Sequence, residues 1–166
     1  MPRRTALIVV VPEAEPAVGE LRLAHDRSAR LGVPAHVTIL FPFAPPETVD
    51  EEALRTLLAS FPAFDFVLDR VENWDEGITW LHPEPSRPFE DLTAAVFERF
   101  PDYPPYEGEH DLVIPHLTVS DSGPVDLNAA LPIASRAHEV TLIEEAESDG
   151  RWTVRLAFPL ASPPAA

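Results

Sequence analysis

The sequence predicts an α+β fold: a two-lobed, pseudo-symmetric arrangement of mostly antiparallel sheets with flanking helices and a central cleft. Three observations carry this expectation. Strand-like and helix-like segments interleave, yet several strands follow one another directly, which suits antiparallel pairing. A four-residue pattern occurs twice, His36-Val37-Thr38-Ile39 and His116-Leu117-Thr118-Val119, 80 residues apart. Each copy has a proline one or two residues ahead of its His and a helix-like segment nearby. At 166 residues the chain is expected to form a single domain, 1–166, of two lobes. The 20 prolines fall largely in connections, and no stretch reads as an interdomain linker.

The elements follow in order. Thr5–Val11 is a β-branched, apolar run and reads as a strand. Ala14–Leu31 carries Val18 and Leu21 at helical spacing, and Gly32 and Pro34 end it. Ala35–Phe41 is strand-like and holds the first motif. Pro46–Phe61 reads as a helix, with Thr48 and Glu51 as a capping box and Leu54, Leu57, Leu58 and Phe61 on its apolar face. Ala63–Val71 alternates Phe64, Phe66 and Leu68 against Asp65 and Asp69, a strand with one wet face. Gly77–Leu81 is a shorter strand. Ser86–Phe100 is a helix capped by Ser86, with Phe89, Leu92, Val96, Phe97 and Phe100 on one side. Pro101–His110 is a loop, and Leu112–Ser120 a strand holding the second motif. A short helix is expected near Asp126–Leu131. His138–Glu145 and Arg151–Leu160 are strands, the second alternating Trp152, Val154, Leu156 and Phe158. Residues 161–166 read as a flexible tail.

Composition excludes several chemistries. There is no cysteine, hence no disulfide, thiolate metal site or cysteine nucleophile. All 12 basic residues are arginine, which removes Walker-type phosphate loops, Schiff bases and lysine-adenylate intermediates. A net charge of −16 opposes binding along a polynucleotide, so any phosphate ligand should be small or enter by its end. The opening residues, Met1 to Glu13, imitate a signal peptide, but the apolar run Ala6–Val11 is short and no cleavage site follows. No stretch approaches the roughly 20 apolar residues of a membrane span. A cytoplasmic, monomeric protein with no membrane partner is expected.

The repeated motif carries the chemistry. Side chains alternate along a strand, so His36 and Thr38 share one face, as do His116 and Thr118. Val37, Ile39, Leu117 and Val119 point the other way, into a core. If the two strands meet, two imidazoles able to exchange protons near neutral pH converge with two hydroxyl donors. One tetrahedral phosphate would satisfy all four. With six His and 17 Ser plus Thr in 166 residues, one such motif arises by chance about 0.12 times, so two are a pattern to explain.

On these motifs, and on "RLGVPAHVTILFPF" and "VIPHLTVS" around them, the chain resembles the 2H phosphoesterase superfamily in its 2′-5′ RNA ligase and cyclic phosphodiesterase-like branch. The resemblance implies a phosphoesterase acting without metal or cofactor on 2′,3′-cyclic phosphates or related 2′-5′ nucleotide phosphodiesters, with reversible, ATP-independent ligation as the reverse direction. His36 and His116 would be the catalytic acid and base, in an order the sequence leaves open. Thr38 and Thr118 would bind the phosphate. The strongly acidic composition departs from what an RNA-binding rim would want.

Weaker candidates surround this set. Arg22, on the polar side of the first helix, could reach a phosphate. Ser120 shares the parity of His116 and Thr118. Trp80, Tyr103 and Tyr106 could stack on a base. His25, His82, His110 and His138 have no partner pattern and read as structural or surface groups. Two other classes stay open. One is a noncatalytic nucleotide-phosphate binding protein using the same cleft. The other is a metal hydrolase, which would want three or more His or carboxylate ligands at one centre.

Overall fold

A computed structural model of the chain describes residues 3–109, 113–127 and 129–162. Its strands are β1 (Thr5–Val10), β2 (His36–Leu40), β3 (Phe64–Trp74), β4 (Ile78–Glu84), β5 (Leu117–Ser120), β6 (Ile133–Ala137), β7 (Glu139–Glu145) and β8 (Trp152–Pro159). Its α-helices are α1 (Glu15–His25), α2 (Arg27–Arg30), α3 (Glu51–Leu58) and α4 (Arg87–Arg99). Two four-stranded sheets form, in the orders β2-β1-β7-β8 and β5-β4-β3-β6. Every pairing of these strands is antiparallel. The α+β expectation therefore holds. Each motif lies at the edge of its sheet, the first on β2 and the second at the start of β5.

The helices tie the sheets together. α1 packs against β5, and α4 packs against β2. Each motif strand is thus backed by the helix that precedes the other motif. Thr93 of α4 donates its hydroxyl to the Ile39 carbonyl at 2.7 Å, fixing α4 on β2. On the far side, the amide of Asp121 donates to the His25 carbonyl at 3.0 Å, fixing the end of β5 on α1.

One hydrophobic core serves both sheets. It joins Leu7, Val9, Val37 and Ile39 of the first to Phe66, Leu68, Leu81, Leu117 and Val119 of the second. Burying each large side chain is worth about 1.5–3 kcal/mol. The other face of β1 is buried too: Ala6 and Ile8 join Val33 and Ile143 in a smaller cluster beside Phe41 and Trp152. A strand covered on both faces reads as a continuous apolar run, as Ala6–Val11 does.

Several local readings are corrected. The first helix is broken at Asp26, whose carboxylate accepts from the Ser28 amide at 3.1 Å and so starts α2. The second helix begins at Glu51, and its cap is Asp50, which accepts from the Ala53 amide at 3.0 Å. Thr48 instead belongs to a separate 3₁₀ turn and donates to the Pro45 carbonyl. Ser86 makes no cap bond to α4; its hydroxyl donates to Glu90. Phe97 is largely exposed at 39%, off the apolar side. β3 and β4 run on to Trp74 and Glu84 because they form one long hairpin. The described residues of 126–131 are not helical, and Ile133–Ala137 forms the unexpected edge strand β6. Val154 is 62% exposed on edge strand β8. In the expected tail, Ala161 is hydrogen-bonded to Phe61 and Ala63; residues 163–166 lie outside the described residues.

The cap correction is testable. Asp50→Ala should cost about 0.5–2 kcal/mol in urea denaturation, whereas Thr48→Ala should stay within about 0.5 kcal/mol of wild type. Equal losses would return the cap to Thr48.

Candidate active site

The two motif histidines are held in the same way. Nδ1 of His36 lies 2.8 Å from the Pro34 carbonyl, and Nδ1 of His116 lies 2.7 Å from the Ile114 carbonyl. A carbonyl oxygen only accepts, so each Nδ1 must carry the proton. In the neutral ring, Nε2 is then left as the basic atom, able to take a proton and, once protonated, to give it back. β2 and β5 approach one another where the sheets meet, and the charge of His116 is close enough to act on His36.

Both imidazoles are biased toward the neutral form. Burial pushes His36 down to about 4, opposed by the Pro34 hydrogen bond and reinforced by the positive charges of Arg22 and His116. Burial also lowers His116, against the Ile114 hydrogen bond. The His116 ring sits edge-on to two indoles, 4.7 Å from Trp74 and 5.9 Å from Trp80.

Two cavities each include one of the pair in their lining. One of about 450 Å³ includes His36, Thr38, Phe41, Trp152, Arg4 and Arg27 in its lining. The Arg4 guanidinium stands 5.1 Å over the Phe41 ring while its Nε and Nη2 donate to the Glu145 carboxylate. The second, about 400 Å³, includes His116, Trp74, Ile78, Tyr106, Asp75 and Glu76. Thr118 is half-buried and pairs with Trp80 across the second sheet.

The weaker candidates separate. Tyr106 reaches both sides: its phenol shares a hydrogen bond with the Thr38 side chain, and it lines the cavity of His116. Its backbone is in the left-handed region (φ 51°), as is that of Glu107 (φ 57°), a conformation that costs about 1–2 kcal/mol per residue. Arg22 is corrected: it is 2% exposed and gives its donors to Asp26, the Val33 carbonyl and Ser28. It acts on His36 as a buried charge from behind, with no donor turned to the cleft. Ser120 is fully buried and donates to the Gly123 carbonyl at 2.6 Å, so it fixes a turn. Trp80 is 5% exposed and packed between Trp74, His82 and His116, with no face for a base. Its Nε1–H has no partner among the described residues. Tyr103 packs edge-on against Phe43 in the core.

Sequence reasoning missed Trp74, Phe41, Trp152 and Arg4. The signal for Trp74 was the "NWDEG" turn: a strand continued through it puts Trp74 opposite Ile78, near the second motif. His82 is corrected from unpartnered to paired, its Nδ1 3.1 Å from Asp69. Asp69, His82 and Glu84 are the one group among the described residues whose donors could share a metal ion, and it contains neither motif histidine. The Arg70 guanidinium, 3.3 Å from Asp69, competes with a cation there. His110 lies outside the described residues.

Two sheets that meet at repeated H-x-T strands, with tautomer-fixed histidines, define the class of the 2H phosphoesterases. The chain belongs to the 2′-5′ RNA ligase superfamily, whose sequence profile matches residues 10–156. Its fold is that of Escherichia coli LigT, solved with NADP+, at 20% identity and a TM-score of 0.66 over 96% of this chain and 98% of that one. TT0787 of Thermus thermophilus matches at 19% identity and 0.66, over 96% and 98%. A protein described as a phosphoesterase matches at 18% and 0.64, over 97% and 99%. No curated protein sequence matches the chain. Membership supports a 2H phosphoesterase-type enzyme. No helix among the described residues is long and apolar enough to cross a membrane.

The His36 environment predicts acid sensitivity of the fold. Unfolded, His36 titrates near 6.5; folded, near about 4. Between these values the unfolded chain binds more protons. Stability from this group is therefore complete above pH 6.5 and is lost as pH falls toward 4, by up to about 3 kcal/mol. His36→Asn should flatten the dependence of urea-unfolding free energy on pH in that window. An unchanged slope would mean His36 is not the group responsible.

Proposed function

We propose that the chain is a metal-independent phosphodiesterase that opens 2′,3′-cyclic phosphates or cleaves related 2′-5′ nucleotide phosphodiesters. The same site, run in reverse, would join ends without ATP. The observation that carries this reading is the pair of Nε2 atoms left free by matching hydrogen bonds to the Pro34 and Ile114 carbonyls. Displacement at phosphorus needs one group to take a proton from the attacking oxygen and another to give one to the leaving oxygen. LigT has been solved with 3′-AMP and with ATP, which supports a small nucleotide as the ligand here.

The roles divide by environment. Burial, with the charge of Arg22 adding to it, disfavours a charge on His36, which is assigned as the base that takes a proton from water. His116 stands against two indole rings, whose π systems tolerate a cation. It is assigned as the acid that protonates the leaving ribose oxygen. An anionic phosphate between them would raise the affinity of His116 for its proton. Thr38 and Thr118 would donate to the phosphoryl oxygens as charge builds.

Turnover of a 2′,3′-cyclic mononucleotide, wild type beside variants, is the test. His36→Ala and His116→Ala should each lose about 10²–10⁴-fold, with the double variant little worse than either. Thr38→Ala and Thr118→Ala should lose about 10–100-fold. Ligand binding by wild type without turnover would favour the binding protein instead.

Two further outcomes are expected. Activity should survive exhaustive treatment with EDTA; loss restored by one divalent metal would establish the metal hydrolase. In addition, kcat/KM should peak below pH 6.5, because the acid loses its proton below the usual imidazole value. A maximum above pH 7.5 would show that the two imidazoles do not titrate low in the free enzyme.

A further inference from the structure

Among the described residues, one buried side-chain donor or acceptor has no hydrogen-bond partner: Nε1 of Trp80. A donor buried unpaired destabilises the fold, and native proteins keep few of them. Its position supplies a reason. Trp80 is the cross-strand partner of Thr118, so the two side chains leave the same face of the second sheet. Alternation puts His116 on that face too, and its ring lies 5.9 Å from that of Trp80. The neighbouring pair, Leu81 and Leu117, is the one that enters the core. The orphan N–H therefore belongs to the face of the second motif's polar groups. Nε1 is closed to solvent, so water does not serve it in the free protein. The Trp74 ring, 4.8 Å from Trp80, lines the His116 cavity, whereas Trp80 does not. Trp74 is half-buried at the end of the β3–β4 hairpin, with Asp75 and Glu76 exposed beyond it.

We propose that the Trp80 N–H is a third neutral donor to the phosphate: when a phosphodiester enters beside His116, the Trp74 ring turns aside and Nε1–H donates to the phosphoryl oxygen that Thr118 also holds. The inference rests on the reading of the cleft as a phosphodiester site. An indole N–H can only donate, which suits an anion that offers only lone pairs. Being neutral, it is far less costly to keep buried than a guanidinium or an ammonium. The donor has already lost its water in the folded chain. Its bond to the anion therefore forms without stripping solvent from it, as preorganised donors do. A group that weakens the free protein is retained because the ligand uses it.

Inorganic phosphate is the probe, with turnover of a 2′,3′-cyclic mononucleotide beside it. Replacing Trp80 by 3-benzothienylalanine keeps the ring shape and exchanges N–H for sulfur. This variant should weaken phosphate binding and lower kcat/KM by about 10–100-fold, the worth of one hydrogen bond to a charged group. Its urea midpoint should equal or exceed that of wild type, because an unpaired donor has been removed. A purely structural indole would leave binding unchanged, or lose binding and stability together. Phosphate should also change the tryptophan emission of wild type, and Trp74→Phe should abolish that change. The proposal is overturned if the sulfur variant binds phosphate as wild type does, if its midpoint falls, or if the emission change survives Trp74→Phe. In each case wild-type turnover leaves the phosphodiesterase reading intact. A wild type that neither binds phosphate nor opens the cyclic ester sinks both.

Discussion

The cleft depends on two backbone carbonyls, those of Pro34 and Ile114. Each fixes one imidazole tautomer, and with it the ring nitrogen left as the basic atom. The first carbonyl is itself immobilised from both sides. Arg22 donates to the neighbouring Val33 carbonyl, and the Ala35 amide donates to Glu15 at 2.8 Å. Both side chains come from α1. The buried pair Arg22–Asp26, 2.9 Å apart, is therefore part of how His36 is aimed. A buried ion pair adds little net stability against an apolar replacement. Its value here is geometric, and it also sets a positive charge near His36.

The same logic explains how one cleft is assembled from segments 80 residues apart. α1 leads into β2 yet packs on β5, and α4 leads toward β5 yet packs on β2. Neither motif strand can be placed without the other half of the chain. Because Val37, Ile39, Leu117 and Val119 all enter a single core, period two leaves the four polar motif side chains on the opposite faces. Burying the apolar motif residues is thus enough to turn the polar ones away from the core.

Much of this was legible in the sequence. Strict alternation in H-V-T-I and H-L-T-V gave the faces, but not the i−2 carbonyl that meets each ring. What was not legible depended on partners distant in the chain. Arg22 reads as an exposed helix arginine until the break at Asp26 folds a carboxylate and Ser28 onto it. Ser120 has the right parity, but the turn that follows takes its hydroxyl. Trp80 and Trp74 look alike in sequence. The hairpin register buries one beneath the other and leaves Trp74 on the cavity wall. Propensity cannot reveal Tyr106, since its placement defies it.

The acidic surface constrains how such a site can hold an anion. The cavity beside His36 carries Arg4 and Arg27, but also Asp26, Asp121, Glu145 and Asp149. Arg4 is already engaged by Glu145 through two guanidinium nitrogens. Cations therefore do not dominate this cavity. On the proposed reading, a phosphate would be held mainly by the two threonine hydroxyls and by the Nε2–H of a protonated imidazole, at one point. Counterion release scales with the number of phosphates neutralised, so a site built this way gains little from a long polyanion. Repulsion from the remainder of a chain with net charge −16 then acts on every additional phosphate. On the proposed reading, a preference for a single phosphodiester, cyclic or at an RNA end, would follow from this charge distribution.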